Sequence, residues 1–297
     1  MTATAIQLYT LRDIDAPLPD VIDRVAAAGY DGVEFAHRVR EADQQAVRNA
    51  LERENIEAVG AHVELPPLES EFDSLLERYE AIGCTRIVLG HVSSERFRTV
   101  DRVRGLAADL CDLADRLDDR GFDLAYHTTR HDFVPTVDRF GLEPLLAVGA
   151  IPNSGWNHIA DTLGRAFRFD ESDLDATGFG HLLAETDAEV LSFEVDVKSI
   201  APLGLDPTAV FDYAGDRLSL VHISDIRRSR RFPPKYESVE PGTGLVDIDA
   251  ALGGSIQSDA EWMVYENDRS SDPERSLQHG ATTLSAGTKT PRSLRQS

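Results

Sequence analysis

The chain has 297 residues, a hydrophobic fraction of 41% and a formal net charge of −22 at pH 7. The hydrophobic fraction is enough for a sizeable core and excludes a mainly disordered protein. The length is compatible with one large domain or with two of ordinary size. The acidic charge disfavours nucleic acid as a partner, because phosphate contacts need Lys and Arg clustered on one face.

The positive charges of the chain are almost all arginines, since only three lysines occur. A carboxylate-rich, lysine-poor surface is typical of proteins kept soluble in high salt, where screening removes self-repulsion. We therefore predict a halophilic protein. One basic cluster comprises Arg227, Arg228, Arg230 and Arg231. It is either a solvated loop or a clamp for an anionic substrate such as a sugar phosphate.

The two cysteines, Cys84 and Cys111, fall at a predicted strand edge and in a predicted helix. We expect them to be small core hydrophobes in a reducing compartment and not a disulfide. No segment approaches 18 uninterrupted apolar residues, and no basic region followed by an apolar stretch opens the chain. The expectation is a cytoplasmic protein without a membrane partner. A homo-oligomer is compatible with these residues, but none of them identifies an interface.

Short apolar runs alternate along the chain with longer amphipathic stretches, as expected for a parallel sheet with crossover helices. Eight runs are predicted strands: 4–8, 32–35, 57–62, 86–89, 122–127, 190–196, 218–222 and 262–266. Helical periodicity predicts helices between them at 18–28, 41–53, 68–82, 99–119 and 207–214.

Eight βα units in about 280 residues match the size of a (β/α)8 TIM barrel of the α/β class. An open doubly wound sheet is the main rival, but it usually has a glycine-rich turn after the first strand. Here that turn, residues 9–12, contains no glycine. We predict one barrel domain over residues 1–284, with an irregular insertion at about 128–180 after the fifth strand. The remaining residues, 285–297, are predicted to be a loose polar tail.

Ionisable residues stand at the ends of the predicted strands. Seven of the eight runs end at or beside one: Glu34, His62, His91, His127, Asp196, His222 and Glu266. A single strand-end histidine or glutamate is more often a cap than a ligand. In a barrel, however, the carboxyl ends of all strands meet at one mouth, which is where catalytic groups lie. The pattern therefore favours a functional site.

Carboxylates and imidazoles together are suitable ligands for one divalent metal ion, with Mn²⁺, Mg²⁺, Co²⁺ and Zn²⁺ not distinguishable. Such an ion would bind adjacent oxygens of a hydroxy-carbonyl substrate and stabilise an enediolate. A nearby carboxylate could then carry the proton.

Several segments together resemble the xylose isomerase-like TIM barrels, specifically the sugar phosphate isomerase/epimerase group. The similar segments are residues 7–13, 28–34, 125–127, 193–197, 220–225, 242–244 and 264–268. Only their order and spacing make the resemblance specific. It covers nearly the whole chain outside the insertion and the tail.

The resemblance implies roles for individual residues. Asp196, His222 and Glu266 would be metal ligands, with Glu266 also the catalytic acid/base. The substrate pocket would be lined by Glu34, His62 and His127. Asp225, three residues after His222, would orient a ligand from behind it.

The chain departs from this family at the fifth strand, where relatives often read Tyr-His-Asn-His-x-x-Glu and the last residue is a ligand. Residues 126–134 carry two extra residues, and Val134 stands where the glutamate would be. The candidates for a fourth ligand or second base are His131, Asp132 and Glu143.

Three functions remain compatible with the sequence. The leading one is a metal-dependent isomerase or epimerase of a small sugar or sugar derivative. A lyase that dehydrates a polyol ketone would use the same proton abstraction. A non-catalytic sugar-binding barrel would explain the missing strand-five glutamate. An abasic-site nuclease is disfavoured, because it would need more metal ligands and a basic face.

Overall fold

The computed structural model of the protein describes residues 2–36, 38–141, 171–229 and 235–289. Glu143 and the pair Arg230 and Arg231 lie outside the described residues. No helix in these ranges is both long enough and apolar enough to cross a membrane.

Eight parallel strands close into a barrel, which confirms the predicted (β/α)8 fold. Around the barrel each strand pairs with two neighbours in the order β1-β10-β7-β6-β5-β4-β3-β2. The barrel strands are β1 (Ala3–Gln7), β2 (Gly32–Phe35), β3 (Glu57–Val63), β4 (Arg86–Leu89), β5 (Asp123–His127), β6 (Ser192–Asp196), β7 (Leu218–Ile223) and β10 (Trp262–Tyr265). The other two, β8 (Asp225–Arg228) and β9 (Tyr236–Val239), form a separate antiparallel hairpin.

The helices are α1 (Leu18–Ala28), α2 (Gln44–Glu54), α3 (Leu65–Ser70), α4 (Phe72–Ile82), α5 (Val100–Asp118), α6 (Gly178–Glu185), α7 (Val197–Ile200), α8 (Pro207–Ala214), α9 (Ile248–Gln257) and α10 (Pro273–Lys289). Side-chain caps begin several of them, as where Thr99 accepts from the third amide of α5. Gly29 and Gly83 end α1 and α4 in the left-handed conformation that glycine adopts freely. The last helix runs to Lys289, so residues 285–289 of the predicted tail are helical.

The barrel interior is divided into an apolar layer and a polar layer. An inner cluster of buried side chains fills the amino-terminal part: Ala5, Val59, Val88, Ala125, Leu220, Trp262 and Val264. Because side chains on a strand alternate between its two faces, the residue two positions after an inward apolar one also points inward. After Ala125, Leu220 and Val264 these following residues are His127, His222 and Glu266, the last directly beyond β10. The strand period therefore places ionisable groups together above the apolar layer.

Candidate active site

Four side chains form a ring of alternating charge at the centre of the polar layer. His62 Nε2 lies 2.6 Å from Glu194 Oε2 and 3.4 Å from Glu34 Oε1. His222 Nε2 lies 2.9 Å from Glu34 Oε2 and 2.9 Å from Glu194 Oε1. The two imidazoles stack with centroids 5.3 Å apart, and Gln7 Nε2 donates to Glu34 Oε2 at 2.9 Å. Each glutamate thus contacts both histidines.

Burial and neighbouring charges shift the pKa values of these side chains, in several cases in opposite directions. Burial raises the pKa of Glu194, but His222 and His62 outweigh it and hold that pKa well below its usual range. The pKa of Glu34 is raised by burial and by the charge of Glu194. For His222, burial lowers the pKa, yet the surrounding glutamates raise it well above the ordinary value. Glu194 is therefore the ionised partner, and Glu34 is the carboxyl that more readily holds a proton.

The imidazole of His127 packs against this ring. Its centroid lies 4.8 Å from that of His62, which it meets edge-on, and 5.0 Å from that of His222. Both of its ring nitrogens are buried, and neither has a hydrogen-bond partner in the described part of the chain. Burial lowers its pKa well below the ordinary value, and the two neighbouring histidines lower it further. A buried neutral imidazole without a partner is costly unless it binds something. Its lone pair is suited to a metal ion.

Together these side chains could hold a divalent cation. His62, His127, Glu194 and His222 each offer one ligand atom, and the four atoms lie within 4.8 Å of one another. Three imidazole nitrogens and one carboxylate oxygen form a common donor set for transition metals and zinc. The unpartnered nitrogens of His127 are the observation that fits this set to an ion.

A second charged group lies beside the first and contains a lysine. Lys198 Nζ donates to Asp268 Oδ2 at 2.8 Å and also to Glu266. It lies 3.3 Å from Asp196 Oδ2. Burial lowers the pKa of Lys198, but these carboxylates outweigh it and raise the pKa well above its ordinary value. Lys198 is therefore a charged ammonium within a carboxylate cluster.

The three ligands implied by the family resemblance do come together at this mouth. Glu266 Oε2 lies 3.4 Å from His222 Nδ1, and Lys198 connects Glu266 with Asp196. An ammonium is thus among the carboxylates that were expected to ligate a metal. Glu34, expected to bind substrate, is fully buried and is engaged by Gln7 and His222. Its carboxylate belongs to the ring, and its role in binding substrate stays a prediction.

Two candidates for the fourth ligand have other partners. Asp132 is fully buried, accepts a hydrogen bond from Tyr126 Oη at 3.0 Å and accepts one from the Thr129 amide at 2.7 Å. His131 Nε2 lies 3.0 Å from the carbonyl oxygen of Val92. These contacts close the turn after β5, and neither residue belongs to the histidine–glutamate group. The third candidate, Glu143, lies outside the described residues.

Asp225 has a different role from the one the resemblance implied. Its carboxylate accepts five backbone hydrogen bonds, from the amides of residues 226, 242, 244, 245 and 246 at 2.7–3.1 Å. None of these bonds goes to His222. Asp225 therefore fixes the loop that follows the β8–β9 hairpin.

Two of the charged site residues were missed by the sequence analysis. Glu194 precedes Asp196 by two positions, so the strand period alone would have placed it on the same inward face. Lys198 follows the strand, and its direction depends on how α7 begins, which no strand periodicity predicts. Its rarity was the available signal, since the sequence has three lysines.

The fold and these clusters define a (β/α)8 barrel with a group at the carboxyl ends of its strands that could hold a cation. The family model for xylose isomerase-like TIM barrels matches residues 22–286. The chain belongs to the xylose isomerase-like TIM barrel family. No curated protein sequence matches it significantly.

Solved structures similar to this chain span nearly its whole length at low identity. A sugar phosphate isomerase/epimerase from Parabacteroides distasonis has a TM-score of 0.68 and 13% identity, covering 97% of this chain and 99% of the other. The probable 3-DHS dehydratase AsbF from Bacillus anthracis has a TM-score of 0.68 and 12% identity, covering 96% and 99%. The IolI protein, whose structure contains a zinc atom, has a TM-score of 0.66 and 13% identity, covering 97% and 96%. At these identities the likeness shows the shared fold alone.

Proposed function

We propose that the protein is a metal-dependent isomerase or epimerase of a small sugar or sugar derivative. The observation that carries the proposal is the group of three histidines and Glu194 at the barrel mouth, where neither ring nitrogen of His127 has a hydrogen-bond partner among the described residues. The family membership and the fold shared with a sugar phosphate isomerase/epimerase support it. The zinc atom in the similar IolI structure supports metal binding in such a barrel.

In this proposal His62, His127, Glu194 and His222 hold the ion. A bound divalent ion supplies Lewis acidity that polarises a carbonyl oxygen. Imidazole-rich donor sets suit Zn²⁺, Co²⁺ or Mn²⁺ better than Mg²⁺, which prefers oxygen ligands.

The proton is moved by carboxylates beside this group. Burial raises the pKa of Glu266, but Lys198 and His222 hold it well below the usual range, so Glu266 is ionised and can accept a proton. Burial and the charge of Glu266 raise the pKa of Asp268 to about 6, with Lys198 opposing them. Asp268 can therefore hold and return a proton near neutral pH. Both carboxylates are hydrogen-bonded to the same Nζ, which fixes their direction.

A dehydratase is the second candidate. The position of these carboxylates favours it as much as it favours an isomerase. Glu266 and Asp268 approach the same ammonium, so they serve one side of the mouth. Proton transfer on one face is sufficient for a 1,2-isomerisation or a syn elimination, whereas inversion of a carbon needs a proton carrier on the opposite face. Inversion at this site would therefore need a proton carrier besides Glu266 and Asp268.

Deuterium incorporation tests the proposal. The metal-loaded enzyme is incubated in D₂O with aldoses, ketoses, their phosphates and cyclic polyol ketones, and the products are identified by NMR. We expect deuterium at the carbon beside the carbonyl, with an isomerised or dehydrated product. Glu266→Gln should lower the exchange about 10²–10⁴-fold. Glu57→Gln, at the exposed opposite end of a strand, is the matched control.

Exchange retained in Glu266→Gln would remove Glu266 from the mechanism. Binding of a sugar without exchange in any substrate class would favour the non-catalytic barrel instead.

A further inference from the structure

Lys198 is held at the barrel mouth by the end of β6. The four-residue helix α7 begins directly after Asp196, whose Oδ1 accepts the Lys198 backbone amide at 3.1 Å. The Ser224 hydroxyl donates to the same oxygen. This leaves Asp196 Oδ2 facing the lysine Nζ at 3.3 Å. The Lys198 side chain is 18% exposed, so most of its length is packed within the protein.

The Lys198 ammonium forms ion pairs with three carboxylates from two separate chain segments. Asp196 ends β6, while Glu266 and Asp268 follow β10, and all three lie within ion-pair distance of Nζ. An ammonium has three N–H donors, so it can serve one carboxylate with each. Buried carboxylates at such short separation repel one another unless a cation lies between them. Here the chain itself supplies that cation.

We propose that the Lys198 ammonium takes the place of a divalent ion between Asp196 and Glu266, so that these two carboxylates are not metal ligands in the wild-type protein. A divalent ion in the same position would lie within a few ångströms of a fixed positive charge. The metal of the proposed function is thereby confined to the histidine side of the mouth, and this consequence rests on that function. The contact of Lys198 with the two carboxylates does not depend on the proposed function.

The family resemblance assigned both metal binding and proton transfer to Glu266, and with Lys198 in this position only proton transfer is left to it. Glu266 would act on the proton without being a ligand, and Lys198 is its positioning residue. The ammonium orients the Glu266 carboxylate by a direct hydrogen bond. Arginine can supply the same charge to carboxylates, so Lys198→Arg is the conservative variant.

Removing the ammonium should create a metal site. Lys198→Ala leaves Asp196, Glu266 and Asp268 together without a cation, and hard divalent ions prefer such oxygen ligands. Mn²⁺ binding to the full chain is measured by equilibrium dialysis and by calorimetry. We expect Lys198→Ala to bind one more Mn²⁺ per chain than wild type. Lys198→Arg and Lys235→Ala, an exposed lysine, should bind the wild-type number.

Adding Asp196→Asn to Lys198→Ala should abolish the additional ion. Lys198→Met, which keeps most of the apolar stem, replaces Lys198→Ala if that variant does not fold. The inference is overturned if neither neutral variant gains an ion, or if Asp196→Asn alone removes an ion from wild type.

The same titrations separate this inference from the proposed function. If wild type binds none of Zn²⁺, Co²⁺ and Mn²⁺ while Lys198→Ala binds one Mn²⁺, Lys198 has the inferred role and the metal-dependent function fails. If wild type binds one ion that depends on both Asp196 and Glu266, metal dependence survives and the role of Lys198 is refuted.

Discussion

Glu34 Oε2 lies 2.9 Å from His222 Nε2 although 188 residues separate them in the chain. Their strands, β2 and β7, are not neighbours in the barrel, so the contact crosses its interior. Neither side chain is exposed. This contact and the one between Glu194 on β6 and His62 on β3 connect strands that are not neighbours through charged groups. The charge balance of the candidate active site therefore also affects the stability of the fold.

The two glutamates of the ring should respond differently to the same substitution. Glu194 is the ionised member, so Glu194→Gln leaves the protonated histidines without their counter-charge and should cost about 3–5 kcal/mol of unfolding free energy. Burial and the charge of Glu194 raise the pKa of Glu34, so its ionised form is the less favoured of the two, and we expect Glu34→Gln to cost clearly less than Glu194→Gln. Urea denaturation of the metal-free protein measures both. Equal losses would contradict this assignment of charge.

The loop held by Asp225 should tolerate no side chain at Gly244. A Cβ there would overlap the Asp225 carboxylate and the carbonyl oxygen of Ile226. We expect Gly244→Ala to destabilise the protein by about 1–3 kcal/mol. Gly253→Ala is the matched control, because Gly253 lies in α9 with open space around it and alanine favours helix by about 0.5–1 kcal/mol. Thermal unfolding should therefore shift in opposite directions for the two variants.

Cys84 should be inert in the folded protein. It is fully buried, and burial raises the pKa of its thiol to about 12, so almost no thiolate forms at neutral pH. Because that pKa exceeds the value in the unfolded chain, its contribution to stability is complete below about pH 9 and is lost as pH rises toward 12. In a Cys111→Ser variant, the remaining thiol of Cys84 should not react rapidly with a disulfide reagent until the protein is unfolded. Rapid labelling of the native variant would disprove the burial.

Salt should stabilise the protein strongly. The net charge of −22 produces self-repulsion that is screened over about 10 Å at 0.1 M ionic strength and about 3 Å at 1 M. We expect the midpoint of thermal unfolding to keep rising as KCl is increased beyond about 1 M. A midpoint independent of salt would remove the hypothesis of a halophilic protein.

The sequence predicted the barrel because its signals are local and repeated. The periodicity of α1 and the left-handed Gly29 that ends it follow from the residues themselves, and α8 has the predicted bounds. The predicted helix at 68–82 is two helices, because Glu71 leaves the helical conformation between α3 and α4. The β8–β9 hairpin was not predicted. It is held by contacts of Asp225 with the loop after β9, up to 21 positions further along the chain, which local patterns do not encode.

The site was only partly predictable for a physical reason. The ends of the strands determine which groups reach the mouth, so the sequence placed Asp196, His222 and Glu266 together there. Which of them bind an ion depends on how charges pair across the mouth. That pairing involves Glu194 and Lys198, whose partners lie on other strands and become neighbours only when the barrel closes.

Metal content is the most direct test of the account. The protein is dialysed against buffer containing Zn²⁺, Co²⁺ or Mn²⁺, freed of excess ion, and analysed by plasma mass spectrometry. We predict one ion per chain in wild type and in His91→Ala, an exposed histidine beside the mouth, and none in His127→Ala. A metal-free wild type, or an ion retained undiminished in His127→Ala, would contradict the central claim.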